Sequence, residues 1–347
     1  MSRLPSAGSP SFFLKLVEVH TMRAIRLHAF GPAENLLYEE IADPAPRRGQ
    51  VRIRVEASGV HLIDVHLREG NAGGPLPVPD LPMTPGREVA GVVDAVGQGV
   101  DETLRGRRVV AHLGAASGGY AEQAIAAATS LHVIPDHLDA ATAVAMIGTG
   151  RTAVAVLDIA AVTPADVVLV TAAAGGLGAL LVQAAKAAGA TVAGVAGGAD
   201  KAERVLRLGA DVAADYLAAD WPGRITEALD GRGITVVLDS VGGGAGRTAM
   251  EQLDVGGRLI LFGYSSGRLT DVTSADLAER GLTATWALRP TLLRRPGAMR
   301  ELETRALAKA ATGELTPLTT RFPLEKAAEA HRALIGRATV GKVVLVP

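Results

Sequence analysis

"TAAAGGLG", residues 171–178, follows the branched apolar run Val167–Val170 and precedes an alanine-rich stretch ending in "AKAAGA". Glycine is costly to order, so so many small residues at one point need a reason. A strand, a tight turn and a helix packed closely against that strand would supply one. A phosphate lying on the turn would supply a second. In a doubly wound sheet the first strand-to-helix turn needs small residues at three places: for the turn, for close approach of a pyrophosphate, and for tight helix-to-strand packing. Ala173, Gly175 and Gly178 stand at those places. The amides from Gly176 and Leu177 to Ala179 then open a helix, whose unpaired N–H groups and positive dipole end favour an anion.

A glycine triplet alone is a weak signal, and its context decides its meaning. Downstream, "TVAGVA", "DVAADY", "ITVVLDSV" and "GRLILFGY" read as strands, with "LGALLVQAAKAAG" and "ADKAERVLRLG" as helices between them. Such alternation over 147–286 gives a parallel sheet covered by helices on both faces. Upstream, "MRAIRLHAF", "QVRIRVEASGV" and "EVAGVVDAVGQGV" alternate with period two between turn residues, which predicts a β-rich, partly antiparallel unit. After Trp286 come an amphipathic helix, "RPGAMRELETRALAKAATGEL", and a last strand, "GKVVLVP". The expected fold class is α/β, with a β-rich unit over 22–146 and 287–347 interrupted by a nucleotide-binding unit over 147–286. Residues 1–21 read as a flexible extension, because Lys15 and Glu18 break its apolar segment as a signal peptide would not.

At 347 residues the chain is long enough for two domains. Lys plus Arg (35) and Asp plus Glu (36) nearly cancel, which argues against nucleic acid as a partner and for a small molecule. With no cysteine, disulfides, thiolate nucleophiles and cysteine-ligated metals are excluded. Apolar runs are interrupted within about a dozen residues, so no membrane span is expected and the expected location is cytoplasmic.

An NAD site usually carries a carboxylate at the end of the second strand, where it accepts from the ribose 2′-OH. Here that strand ends "GVAGGADKAER", uncharged over 195–199 and followed by Lys201 and Arg204. A 2′-phosphate needs a cation and room, so NADPH is the expected cofactor; Asp200 argues the other way.

Six segments, "GVHLIDVHLREG" (59–70), "PGREVAGVVDAVGQGV" (85–100), "GYAEQ" (119–123), "AAAGGLG", "VVLDSVGG" and "LILFGYSSG", occur in the order and spacing of one family. From Met22 to Pro347 the chain resembles the zinc-independent NADPH:quinone oxidoreductases of the medium-chain dehydrogenase/reductase superfamily. The resemblance implies a GroES-like catalytic domain, a Rossmann domain, NADPH and a homodimer. It places Gly197, Lys201 and Tyr216 at the adenosine 2′-phosphate. It places Thr149 at the hinge, Ser240, Val241, Phe262, Gly263 and Tyr264 on the nicotinamide side, and Lys342 as a further cofactor contact. In zinc-dependent relatives, metal ligands fall at the places of His61, Arg87 and Ala145 or Met146, and none of those ligand types is retained. His61 and Glu88 alone make a poor metal site, and Glu88 reads as a buried carboxylate paired with a cation.

The implied reaction is hydride transfer from NADPH to a quinone or an α,β-unsaturated carbonyl, with the protein stabilising the oxyanion. His61, Asp64 and Arg68 are the candidate catalytic residues. His66, five residues after His61, reads as a packing residue or a second cleft histidine. Two alternatives stand beside this reading: an alcohol or enoyl-thioester reductase of the same superfamily, and a weakly catalytic NADPH-binding sensor.

Overall fold

The computed structural model describes residues 20–71, 77–114 and 116–347. Most of the expected extension, and part of the loop after "REG", lie outside the described residues. Strands β1 (Thr21–Leu27) and β2 (Leu36–Ala42) form an antiparallel pair. There follow β3 (Gln50–Val60), the helix α1 (Leu62–Arg68), β4 (Glu88–Val96), β5 (Arg108–His112), β6 (Gln123–Ala127) and β7 (Leu131–Val133). Helices α2 (Ala140–Ala145) and α3 (Arg151–Ala160) are joined through a π-helical turn, Met146–Gly150.

The alternating part runs β8 (Val167–Val170), α4 (Gly176–Ala187), β9 (Thr191–Ala196), α5 (Ala199–Arg207), β10 (Val212–Asp215), α6 (Trp221–Ala228), β11 (Ile234–Asp239), α7 (Gly243–Glu251), β12 (Leu253–Leu261), α8 (Ser274–Arg280) and β13 (Thr283–Trp286). The chain ends with α9 (Pro290–Leu293), α10 (Ala298–Ala311), β14 (Thr319–Pro323), α11 (Ala327–Ile335) and β15 (Lys342–Val346).

Six strands form a parallel sheet in the order β10-β9-β8-β11-β12-β13. Counted within the unit this is 3-2-1-4-5-6, and the order reverses between β8 and β11. Ligands of such sheets bind at that switch point, beyond the carboxyl ends of the strands. The second sheet runs β14-β15-β3-β4-β5-β7, with β6 also paired to β3. Its members come from both ends of the sequence, because β15 pairs antiparallel with β3, Val343 opposite Val60.

The expectation that no segment approaches a membrane span needs correction. The helix Ala140–Ala160 is 21 residues long with mean hydropathy 1.5. Gly148, Gly150 and Arg151 read as interruptions in sequence, yet the π-helical turn carries the helix through them. Most of it is buried, with Val144, Ile147, Val154 and Val156 packed in one core with Val168, Leu180 and Leu238. It therefore behaves as the core helix that carries one wall of the site.

Candidate active site

The stretch 171–178 forms the turn that its composition requires. Gly175 N–H donates to Ala172 O at 2.9 Å, and Ala173 N–H ties the turn to Val195 O at the end of β9. A Cβ at Gly178 would stand 2.3 Å from Ala172 O, so only glycine lets α4 approach β8 this closely. The γ-methyl of Thr149 and the backbone of Lys342 would each meet a Cβ at Gly176 at 3.4 Å. The turn is thus walled by the π-helical turn on one side and by the start of β15 on another. Gly341 N–H donates to Ala174 O at 2.9 Å, and Gly175 pairs with Gly341 in a parallel bridge.

Beyond β11 and β12, Ser240 N–H donates to Thr171 Oγ1 at 3.0 Å and Val241 N–H to Asp239 Oδ1 at 2.9 Å. Gly263 packs against Ser240, where a Cβ would come within 2.8 Å of Ser240 O. Val241 and Phe262 are buried, and Tyr264 is exposed and tilted against Trp286 at 6.5 Å. These residues gather at the ends of adjacent strands, β11 and β12, on the switch-point side.

At the end of β9, Gly197 leaves room for a neighbouring ring: a Cβ there would lie 2.8 Å from Tyr216 Oη. Lys201 Nζ donates to Arg337 O, and Arg337 Nη1 reaches Tyr216 Oη at 3.4 Å. Burial, then Arg337, lowers the Lys201 pKa, as expected for two cations awaiting an anion. Arg337 was not found from the sequence. Asp215 was missed as well; its Oδ1 accepts from Gly198 N–H at 2.8 Å and Leu217 N–H at 2.9 Å, and these backbone donors hold its pKa below the usual range. Its charge is committed to the backbone, while Asp200 is exposed on the first turn of α5. Arg204 lines a separate cavity of about 240 Å³ with Leu318, Thr320 and Val340. The small-residue cradle and the paired cations fit a dinucleotide carrying a 2′-phosphate.

The β-rich unit contributes an ionic cluster. Glu88, at the start of β4, is fully buried, with Oε2 at 2.6 Å from His61 Nε2 and 3.0 Å from Lys342 Nζ. Lys342 Nζ is also 2.7 Å from His61 Nε2. Neither Glu88 oxygen meets a donor in hydrogen-bond geometry, so charge holds the carboxylate in place. Two glycines make the space: a Cβ at Gly59 would stand 2.2 Å from Oε2, and one at Gly148 would stand 1.6 Å from Oε1. Burial alone would raise the Glu88 pKa, but His61 and Lys342 outweigh it and hold the carboxyl well below its usual range. Burial lowers the Lys342 pKa against the pull of Glu88. Lys342 therefore lies beside the glycine-rich turn through its backbone and sends its side chain to His61. The His61 side chain is 25% exposed, the most open of the three.

Asp64 lies behind this cluster. Its Oδ2 accepts from His61 N–H at 2.8 Å and from Tyr120 Oη at 3.1 Å, and Tyr120 Oη also lies 3.2 Å from His331 Nε2. Burial raises the Asp64 pKa, opposed by His61. At 3% exposure Asp64 positions His61 rather than facing an acceptor. Arg68 is a correction: it is buried, its Nε donates to Gly31 O at 3.0 Å, and it pairs with Glu69. A guanidinium held on the inner face of α1 has no path to an oxyanion in the cleft. His66, on the same helix, is half-buried.

On the far wall Arg151 pairs with Glu303 at 2.6 Å and meets His112 Nε2 at 3.1 Å. Burial and Arg151 push the His112 pKa down to about 3. Among the described residues no group of three or more His, Asp or Glu side chains is arranged to hold a metal ion. At the places where zinc relatives carry ligands stand the guanidinium of Arg87 and the buried Ala145 and Met146, with an ammonium, Lys342, against His61.

Residues 47–136 match the family described as alcohol dehydrogenase GroES-like domain, and residues 176–304 match the family described as zinc-binding dehydrogenase. The chain is 32% identical over 329 residues to a 2-haloacrylate reductase of a Burkholderia species, covering 92% of this chain and 98% of that one. It is also 32% identical over 329 residues to a quinone oxidoreductase of Sus scrofa, covering 94% and 98%. An Escherichia coli quinone oxidoreductase solved in complex with NADPH superposes with a TM-score of 0.82 at 30% identity, covering 94% of this chain and 100% of that one. Match, fold and ligand-poor site agree: the chain belongs to the zinc-independent quinone oxidoreductase family of the medium-chain dehydrogenase/reductase superfamily.

Proposed function

We propose that this protein is an NADPH-dependent reductase of quinones or α,β-unsaturated carbonyl compounds. One observation carries the reading: Lys342 lies with its backbone on the glycine-rich turn and its ammonium on His61, so coenzyme turn and acceptor pocket meet at one residue. The amides after Gly175 hold the pyrophosphate, and Gly197, Lys201, Tyr216 and Arg337 hold the 2′-phosphate. Thr149, Ser240, Val241, Gly263 and Tyr264 border the nicotinamide, with Phe262 packing beneath them. When bound, NADPH supplies the hydride. The chain supplies placement and water exclusion, and His61 donates a hydrogen bond to the acceptor oxygen.

The acceptor-binding unit in this reading comprises 22–146 and 287–347, and the coenzyme-binding unit 147–286. Among the described residues the edge strand β13 has an unpaired side, which supports assembly as a homodimer through that edge.

The test is NADPH consumption by the full chain with quinones, enones, aldehydes and enoyl thioesters, run beside NADH. Turnover of quinones or enones, with NADPH favoured about tenfold or more, is expected. NADPH binding without turnover of any acceptor would overturn the reading, and a preference for aldehydes or thioesters would redirect it.

A further inference from the structure

Most cations around the cleft already have an anion. Lys342 has Glu88, and Arg151 has Glu303. Arg87 does not. It immediately precedes β4, is half-buried, and commits one group, Nε, to Gly114 O at 2.7 Å. No described carboxylate pairs with its guanidinium, and the segments outside the described residues carry a single acid, Glu18. Its place in the chain ties it to both walls. Glu88, the next residue, binds His61, and Gly114 N–H binds His112 Nδ1 at 3.0 Å, whose other nitrogen meets Arg151.

A half-buried guanidinium loses hydration and regains it best from a planar anion that accepts two parallel N–H bonds. A plain quinone offers no such group. We infer that Arg87 forms an anion subsite beside His61, and that the preferred acceptors are electron-poor alkenes or quinones bearing a carboxylate, held by Arg87 while the carbonyl meets His61. This rests on the reductase reading above and narrows its substrate class. Burial lowers the Arg87 pKa, opposed by the charges of Asp64 and Glu88 and reinforced by Arg151, which places the guanidinium within reach of the same charged groups that surround His61 although no described carboxylate pairs with it directly. The same chemistry could come from a coenzyme phosphate, so the test separates the two sources.

The experiment measures kcat/KM of the full chain for trans-4-oxo-2-pentenoate and its methyl ester, with R87Q, R87K and R87E, and NADPH Kd for each variant. The wild type favours the acid over the ester by about tenfold to a hundredfold. R87Q removes that preference mainly through KM, R87E inverts it, and R87K retains most of it. An acid-to-ester ratio near one in the wild type, or one that R87Q leaves intact, overturns the subsite. A loss of NADPH affinity in R87Q that matches its loss of acid turnover assigns the guanidinium to the coenzyme and also overturns it. If the ester and neutral quinones are reduced in either case, the reductase reading stands. No turnover of any acceptor removes both.

Discussion

Gly148 and Glu88 occupy the same small volume: a Cβ on the glycine would lie 1.6 Å from Oε1 of the carboxylate. The π-helical turn brings the backbone of Gly148 against a buried anion that only a missing side chain can admit. G148A must displace Glu88 and so loosen Lys342 and His61. A loss of about 1–3 kcal/mol in urea-unfolding stability, with reduced turnover, is expected. Unchanged stability and activity would show that the carboxylate is not held where it stands.

His61 is the most exposed member of its cluster, and replacing it tests the hydrogen bond to the acceptor. H61A should lower kcat about a hundredfold while NADPH Kd moves by less than about threefold. Stopped-flow hydride transfer and coenzyme titration separate the two quantities. Full turnover in H61A would retire the role.

Lys201 donates to the carbonyl of Arg337, whose guanidinium reaches Tyr216, and each cation should favour the phosphorylated coenzyme. K201A is expected to weaken NADPH about tenfold to a hundredfold and NADH far less. Arg337 has φ 53°, a left-handed conformation, so R337G removes the guanidinium while keeping a backbone that glycine adopts freely. Calorimetric titration of both coenzymes is the check, and equal weakening of NADH would argue against a 2′-phosphate site.

His331, which is buried, and His112, which is half-buried, should make the fold acid-sensitive above the range where carboxylates titrate. His331 is lowered to about 3 by burial and then Arg68, and His112 to about 3 by burial and then Arg151. A histidine with its folded pKa depressed is neutral in the native state while the unfolded chain takes up a proton. Stability therefore falls as pH drops below about 6.5, by up to about 1.4 kcal/mol per pH unit for each. Glu88 and Glu303, both lowered, add their loss only below the ordinary carboxylate value near 4.3. Urea midpoints between pH 7 and about 5 should fall in the wild type and fall less steeply in H331Q.

Buried parallel strands were legible because they are continuous apolar runs, as in "VVLV" of β8, and the alternation of Gln50–Val60 marked β3 over its whole length. The helix 140–160 was not, since glycine in sequence reads as a breaker. Gly148 serves Glu88 instead, and a Cβ at Gly150 would come 2.7 Å from Met146 Cε. Arg337 had no local signal, because its partner Tyr216 is 121 residues away and only the docking of β15 brings them together. Arg68 shares α1 with residues of the site, but its position faces Gly31, a difference of helix face that spacing alone did not resolve.

The bridge between Gly175 and Gly341 fastens the last strand to the glycine-rich turn one residue before Lys342. Because Gly341 N–H also donates to Ala174 O, the backbone of Lys342 is anchored to the first turn of the parallel sheet, and the position of its ammonium beside His61 depends on main-chain bonds between the two sheets rather than on side chains alone.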